Sequence, residues 1–176
     1  ATGFAMIMLA HLVVQTGMAS NVLVVAGENR MTGQTRDATI QTLAQAGHRD
    51  YEVPLGPTVP CYYGLVASRY MHETGLNEQD LAELAVLMRC HAADTDGAHH
   101  REPITVDDVL RSAPVARPLK LLDCCPISDG GAAFIVSSEP VSDVSLRIRG
   151  CSQAHTHQHV STAQDLTRFG AKASMD

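Results

Sequence analysis

The sequence predicts an α/β fold, and three observations predict it. An almost wholly apolar stretch of helical length, Phe4–Gln15, is followed after a short turn by the continuous apolar run Asn21–Gly27, the order of a helix feeding a buried strand. A second run of that kind, Ala132–Val136, follows the turn-forming residues Ser128-Asp129-Gly130-Gly131. Between the two lie a pair of segments with helical apolar spacing, so the expected pattern is a core sheet interrupted by a helical insertion. The chain has 176 residues, enough for one ordinary domain with a core of its own, and its 45% apolar and 18% charged residues are a globular balance. Tryptophan is absent and aromatics make up 4%, so the core must be aliphatic.

Taken in order, Thr2 stands where an N-cap belongs and Gly17 where a helix stops. A helix apolar all round is expected to be buried on most sides. Asn21–Gly27 reads as a central strand of a parallel sheet. The stretch from Gly27 to Pro60 is polar and rich in Gly and Pro, and is expected to wander irregularly over a surface. Tyr62–Glu73 predicts a helix closed by Gly75. Asn77 caps a second helix, with Glu78 and Asp80 favourably placed in its first turn and a broad apolar face from Leu81, Leu84, Ala85, Leu87 and Met88. Asp94–Pro103 is a loop, and Ile104–Leu110 a short element ahead of Pro114 and Pro118. The sheet is expected to resume at Lys120, and the partial alternation of Val144–Cys151 reads as a strand nearer an edge. There is no internal repeat.

The charge and cysteine content exclude several functions. A net charge of −6 argues against a nucleic-acid partner, although a local Arg or a helix N-terminus can still hold a small anion. Five scattered cysteines, with no C-x-x-C pair and with Cys124 and Cys125 adjacent, predict free thiols in a reducing, cytoplasmic setting. No apolar run reaches membrane-spanning length, so no membrane span is expected. The nucleotide-binding glycine patterns G-x-G-x-x-G and G-x-x-x-x-G-K-S/T are missing, and so is the G-x-S-x-G elbow.

Cys124 and Cys125 are poor candidates for a nucleophile. Asp123 would raise a neighbouring thiol pKa, and Lys120 lies beyond an apolar dipeptide, so packing is the favoured role. His155, His157 and His159 would share one face of an extended segment and could bind zinc, but no carboxylate or cysteine stands at ligand spacing. His99-His100 beside Asp94 and Asp96 is weaker still, and no metal is expected. The start of the first helix is a better site for chemistry. A residue just before Ala1 would sit on the helix dipole, and a cysteine there would be a thiolate of depressed pKa.

These segments resemble the thiolase superfamily, in its sterol-carrier-protein-type branch, across nearly the whole chain. Ala1-Thr2-Gly3 match the last three positions of the family's C-A-S/T-G nucleophile motif. Residues 59–92 are similar to the helical pair of its loop domain. The stretch ending in Asp123-Cys124-Cys125-Pro126-Ile127-Ser128-Asp129-Gly130 matches the branch's D-C-C-P-V/I-S-D-G-A-A, with Gly131 in place of the first Ala. Asp165–Ala171 resembles the opening of the next helix.

The resemblance implies part of a five-layered α-β-α-β-α fold, the N-terminal half with an inserted loop domain, incomplete at both ends. It divides the chain into residues 1–33 of the first core half, a loop domain 34–118, a return strand 119–139 and the start of the C-terminal half at 140–176. It implies Claisen condensation or thiolysis of a 3-oxoacyl-CoA by a cysteine lying before Ala1. Acid and base groups would come from loops further on, so no catalytic residue is expected within these 176 residues and the chain alone should be inactive.

Coenzyme A enters as substrate, with no bound cofactor. Cys125 with Pro126 and Ser128 is expected beside its pantetheine arm, and Met31 is a second lining candidate that loop packing would explain equally well. Arg89, Arg101 and Arg117 are candidates for its phosphates. A homodimer is implied, as is a small OB-fold, zinc-containing partner protein. Two rivals remain: a non-catalytic thiolase-like subunit that binds acyl-CoA or lipid beside such a partner, and a self-contained metal module built on the three histidines.

Overall fold

The computed structural model describes residues 2–175. In chain order the helices and strands are α1 (Thr2–Gln15), β1 (Asn21–Glu28), α2 (Arg36–Ala44), α3 (Val59–Thr74), α4 (Glu78–Ala93), α5 (Val106–Arg111), β2 (Pro114–Ala116), β3 (Leu119–Lys120), β4 (Gly130–Ser137) and α6 (Gly170–Met175). Short 3₁₀ helices occupy Val53–Leu55, Leu121–Asp123 and Val160–Thr162. Helix and strand are mixed as the α/β reading expects. The chain forms two compact units, one of Ala1–Arg36, Ile127–Thr156 and Phe169–Asp176, the other of Asp37–Pro126 and His157–Arg168.

In the first unit α1 lies on a two-stranded sheet. Its end is a complete Schellman closure. Gly17 takes a left-handed φ of 74°, its N–H donates to the Val14 carbonyl at 3.1 Å, and the Met18 N–H donates to Val13 at 3.1 Å. Thr2 is itself helical, which corrects its reading as the N-cap.

β1 and β4 pair antiparallel in continuous register from Asn21↔Ser137 to Glu28↔Gly130, which corrects the parallel-sheet expectation. Antiparallel partners share a face. Val24 and Val136 pack with Ala10 of α1 into a small aliphatic core, flanked by Val14, Val22 and Ile148. On the other face Leu23, Val25 and Ile135 stay 64%, 58% and 56% exposed. The expected burial of both runs therefore holds for one face only, because a single helix covers a single face of a two-stranded ladder.

Two further expectations change here. Gly130 and Gly131 belong to β4 rather than to the turn before it, and Gly131 faces the opposite strand so closely that a Cβ would stand 3.3 Å from the Ala26 carbonyl oxygen. Val144–Cys151 is not a strand. It finds no ladder partner among the described residues, Leu146 is 95% exposed, and Ile148 alone packs back on the core.

The second unit is helical, with its elements closed by local hydrogen bonds. α2 corrects the irregular reading of Gly27–Pro60. Its sequence RDATIQTLA has no apolar stripe, and the buried residue that docks it is Thr39. Gly75 ends α3 as expected, with φ 76° and its N–H on the Met71 carbonyl at 2.9 Å. α4 starts at the expected cap, where Asn77 Oδ1 accepts from the Gln79 N–H and Asp80 Oδ2 accepts from the Asn77 N–H, both at 2.7 Å.

The apolar face predicted for α4 is only partly covered. Ala82 is fully buried, but Leu84, Leu87 and Met88 point to solvent. α5 packs on α4 through Val109, which is 1% exposed. α3 meets β2 at Gly64, where a Cβ would lie 3.0 Å from the carbonyl oxygens of Ala116 and Arg117. The sheet that includes Lys120 is the β2–β3 pair and not the core sheet, which resumes only at Gly130. Among the described residues no helix is long and apolar enough to cross a membrane.

Candidate functional site

β1 delivers the chain into a loop, 29–35, that has no regular structure of its own to satisfy its N–H groups. Asp129, at the foot of β4, supplies the acceptor. Its Oδ1 accepts from the Met31 N–H at 2.6 Å and its Oδ2 from the Thr32 N–H at 3.1 Å. The register of the ladder places it there, since Gly130 pairs with Glu28 and brings the residue before it beside the loop. The bond from the Met31 N–H, followed by those from Thr32, outweighs partial desolvation and holds the Asp129 carboxyl below the usual aspartate range. Arg30 pairs with Glu28 at 2.9 Å in the same loop. Met31 is thus fixed through its backbone while its side chain remains exposed. Ser128 immediately precedes the anchor.

Cys125 and Pro126 close the other unit. They follow the 3₁₀ helix Leu121–Asp123, where Asp123 Oδ2 accepts the Lys120 N–H at 2.8 Å and the Cys124 N–H donates to the Leu121 carbonyl at 3.3 Å. The ammonium of Lys120 is held by Glu78. Cys124 is half-buried and Cys125 exposed. Burial first, and then the charges of Asp123 and Cys125, push the Cys124 thiol up, the direction that Asp123 predicts. A thiol so placed is protonated at neutral pH and a poor nucleophile.

The remaining candidates are dispersed. His155 meets Gln153 at 2.6 Å, and His159 turns its ring edge to His48 with centroids 5.0 Å apart. Among the described residues no group of three or more His, Cys, Asp or Glu is placed to hold a metal ion. His99 and His100 stack on each other at 5.5 Å. Arg89 donates to the Glu102 carbonyl at 2.8 Å, and Arg101 donates to the Ala93 carbonyl at 2.8 Å and pairs with Asp96 at 3.3 Å, so both close the loop after α4. Arg117 has no hydrogen bond or ion pair among the described residues. The position before Ala1 lies outside the described residues.

No protein-family model matches the chain. Individual proteins do. It is 40% identical over 136 residues to an acetyl-CoA acetyltransferase of Methanocaldococcus jannaschii, an alignment covering 77% of this chain and 34% of that protein. It is 33% identical over 171 residues to a steroid side-chain-cleaving aldolase of Thermomonospora curvata, covering 88% and 42%. Among solved structures, an Ltp2-ChsH2(DUF35) aldolase superposes with a TM-score of 0.75 at 31% identity, covering 93% of this chain and 44% of that one.

This chain is a relative of the sterol-carrier-protein-type thiolases. It spans about a quarter to two fifths of the length of the curated relatives it matches. In this thiolase relative, the signature around Cys124-Cys125 contains a functional group that sequence reasoning passed over. Asp129 reads as one of several turn formers, but it is the anchor of the loop that carries Met31. The available signal was an acidic residue immediately before two glycines that open a strand. A second overlooked residue is Glu52, a carboxylate buried in the stretch expected to be irregular.

Proposed function

We propose that these residues are part of a thiolase-type acyltransferase that acts on acyl-CoA and 3-oxoacyl-CoA. The chemistry is Claisen condensation or its reverse, thiolysis, through a cysteine immediately before Ala1. The observation that carries the reading is the 40% identity to an acetyl-CoA acetyltransferase over 136 residues, together with the Ala1-Thr2-Gly3 match in the sequence at the head of α1. A thiol at that position would meet the positive end of the α1 dipole, which stabilises the thiolate. In thiolysis that thiolate attacks the 3-oxo carbon, the C2–C3 bond breaks, C2 takes a proton and leaves as acetyl-CoA, and the acyl group then passes from the cysteine sulfur to the sulfur of a second coenzyme A, which gives up its thiol proton. Acid and base groups would come from outside these residues, and the 176-residue chain alone would be inactive.

Coenzyme A is the substrate and no bound cofactor is invoked. Cys125, Pro126, Ser128 and Met31 would each contact coenzyme A, and the Asp129 anchor fixes the backbone of the loop that carries Met31. Arg117 is the best of the three arginines for a phosphate, since Arg89 and Arg101 are engaged in closing the loop after α4. A homodimer and a small OB-fold, zinc-containing partner complete the proposal, the latter supported by a solved relative whose name pairs two components. Free thiols at all five cysteines fit a cytoplasmic setting.

A second reading, aldol cleavage of a 3-hydroxyacyl-CoA to a carbonyl compound and a shorter acyl-CoA, is favoured by the aldolases among the relatives. Extended protein carrying cysteine or alanine before Ala1, offered 3-oxoacyl-CoA plus coenzyme A or 3-hydroxyacyl-CoA, separates the two. Thiolysis that needs the cysteine supports the first. Cleavage of the 3-hydroxy substrate without it supports the second, and turnover by the 176-residue chain itself would falsify both placements of the chemistry. In the active protein Cys125→Ser is expected to raise KM for acyl-CoA severalfold while turnover persists; loss of turnover in folded protein would remove Cys125 from the binding role.

A further inference from the structure

The second unit contains a buried polar cluster that the proposed chemistry does not use. At its centre is Glu52, 7% exposed, in the turn after α2. One carboxylate oxygen accepts the His48 N–H of its own turn at 2.8 Å, and the other accepts the Ser161 N–H at 2.6 Å, from a residue 109 positions further along the chain. Ser161 belongs to the strap 157–168, which returns to this unit after a long absence. Inside the strap, the Thr162 hydroxyl donates to the His159 carbonyl, the Thr167 and Arg168 N–H groups donate to Asp165, and Asp165 also faces the charge of Arg69 on α3. Around Glu52, Tyr62 of α3 buries its hydroxyl beside the carboxylate, with no well-formed hydrogen bond among the described residues, and Gly47 leaves room for that hydroxyl where a Cβ would collide. From the strap, His159 brings its ring against His48, its buried Nδ1 without a hydrogen bond among the described residues.

We propose that the Glu52 carboxylate is a clasp that fastens the strap 157–168 to the helical body of this unit, and that neutralising it frees the strap while α3 and α4 stay folded. An ionised carboxylate can accept on both oxygens at once, from two N–H groups on separate stretches of chain. A neutral side chain cannot. Protonated Glu, or Gln, turns one oxygen into a donor facing a donor, and one of the two bonds is lost.

The titratable groups that face Glu52 are His48 from its own turn, Tyr62 from α3 and His159 from the strap, and no Lys or Arg among the described residues pairs with it. Burial pushes the Glu52 carboxyl up, but the bonds from Ser161 and His48 and the proximity of His159 together outweigh it and hold the group below the usual glutamate range. The clasp is therefore closed at neutral pH. A depressed carboxyl contributes stability above its unfolded value and loses it as pH falls through the folded one, so the strap opens on the acid side.

Amide hydrogen exchange on the whole chain tests this. At neutral pH, Glu52→Gln is expected to speed exchange across 157–168 by about tenfold or more, with α3 and α4 unchanged. Unchanged strap exchange in a variant whose helices are intact by circular dichroism overturns the proposal. Should Glu52→Gln fail to fold, a pH series on the unaltered chain decides. Strap protection lost before that of α3 and α4 as the carboxyl protonates supports the clasp; loss of all three together, or none, overturns it.

Discussion

Asp129 and Glu52 do the same physical work at two places. Each is a carboxylate that accepts N–H groups from a loop too irregular to satisfy them itself, and each is held below its usual range by those bonds. The two differ in burial, since Asp129 stands at the surface and Glu52 inside. Asp129→Asn should loosen the Met31–Thr32 loop at neutral pH, seen as faster exchange of those two amides. The sign follows from the depressed carboxyl: its contribution is present above the usual aspartate range and is lost as pH falls through the folded value. Wild type and variant should therefore converge in acid, and a difference that persists there would assign the effect to shape rather than charge. Neither carboxylate could be selected from the sequence, because which N–H groups an acid reaches depends on a neighbour far along the chain. The raised thiol of Cys124 owes most to burial, and only the further push from Asp123 beside it was readable in the sequence.

Helix ends were legible for the same reason. The stops at Gly17 and Gly75 and the cap at Asn77 depend on one residue and its next few neighbours. Thr105 caps α5 in the same way, accepting from the Asp108 N–H at 3.2 Å while Asp108 accepts from the Thr105 N–H at 2.9 Å. Thr105→Ala should cost about 1 kcal/mol, read from denaturant unfolding. Elements defined by what they pack against were harder. α2 has no apolar stripe and is docked through a threonine, and Val144–Cys151 has strand-like alternation but no partner. Gly64 shows the contest directly. Alanine is the better helix former by about 1 kcal/mol, yet its Cβ would press on two backbone carbonyls that cannot swing aside. Gly64→Ala is thus expected to destabilise the protein, and an increase in Tm would show that α3 and β2 can separate at little cost.

Across the whole molecule, burial is concentrated in two small centres, Ala10–Val24–Val136 in one unit and the α4–α5 contact around Ala82 and Val109 in the other. Val109→Ala should cost about 2 kcal/mol, and hydrogen exchange should register it in α4 and α5 with little effect on β1 and β4. Equal losses in both units would mean that they unfold as one. The sequence by itself determined the α/β character, the helix stops at Gly17 and Gly75, the helix start at Asn77, the aliphatic core and the kinship with thiolases, because each rests on residue identity at short spacing. Only the tertiary structure decided that β1 and β4 run antiparallel with one face bare, and that Asp129 and Glu52 each tie down a distant loop. Those outcomes depend on which surfaces meet, and a one-dimensional pattern of apolar and polar residues does not say which partner a face or a carboxylate will find.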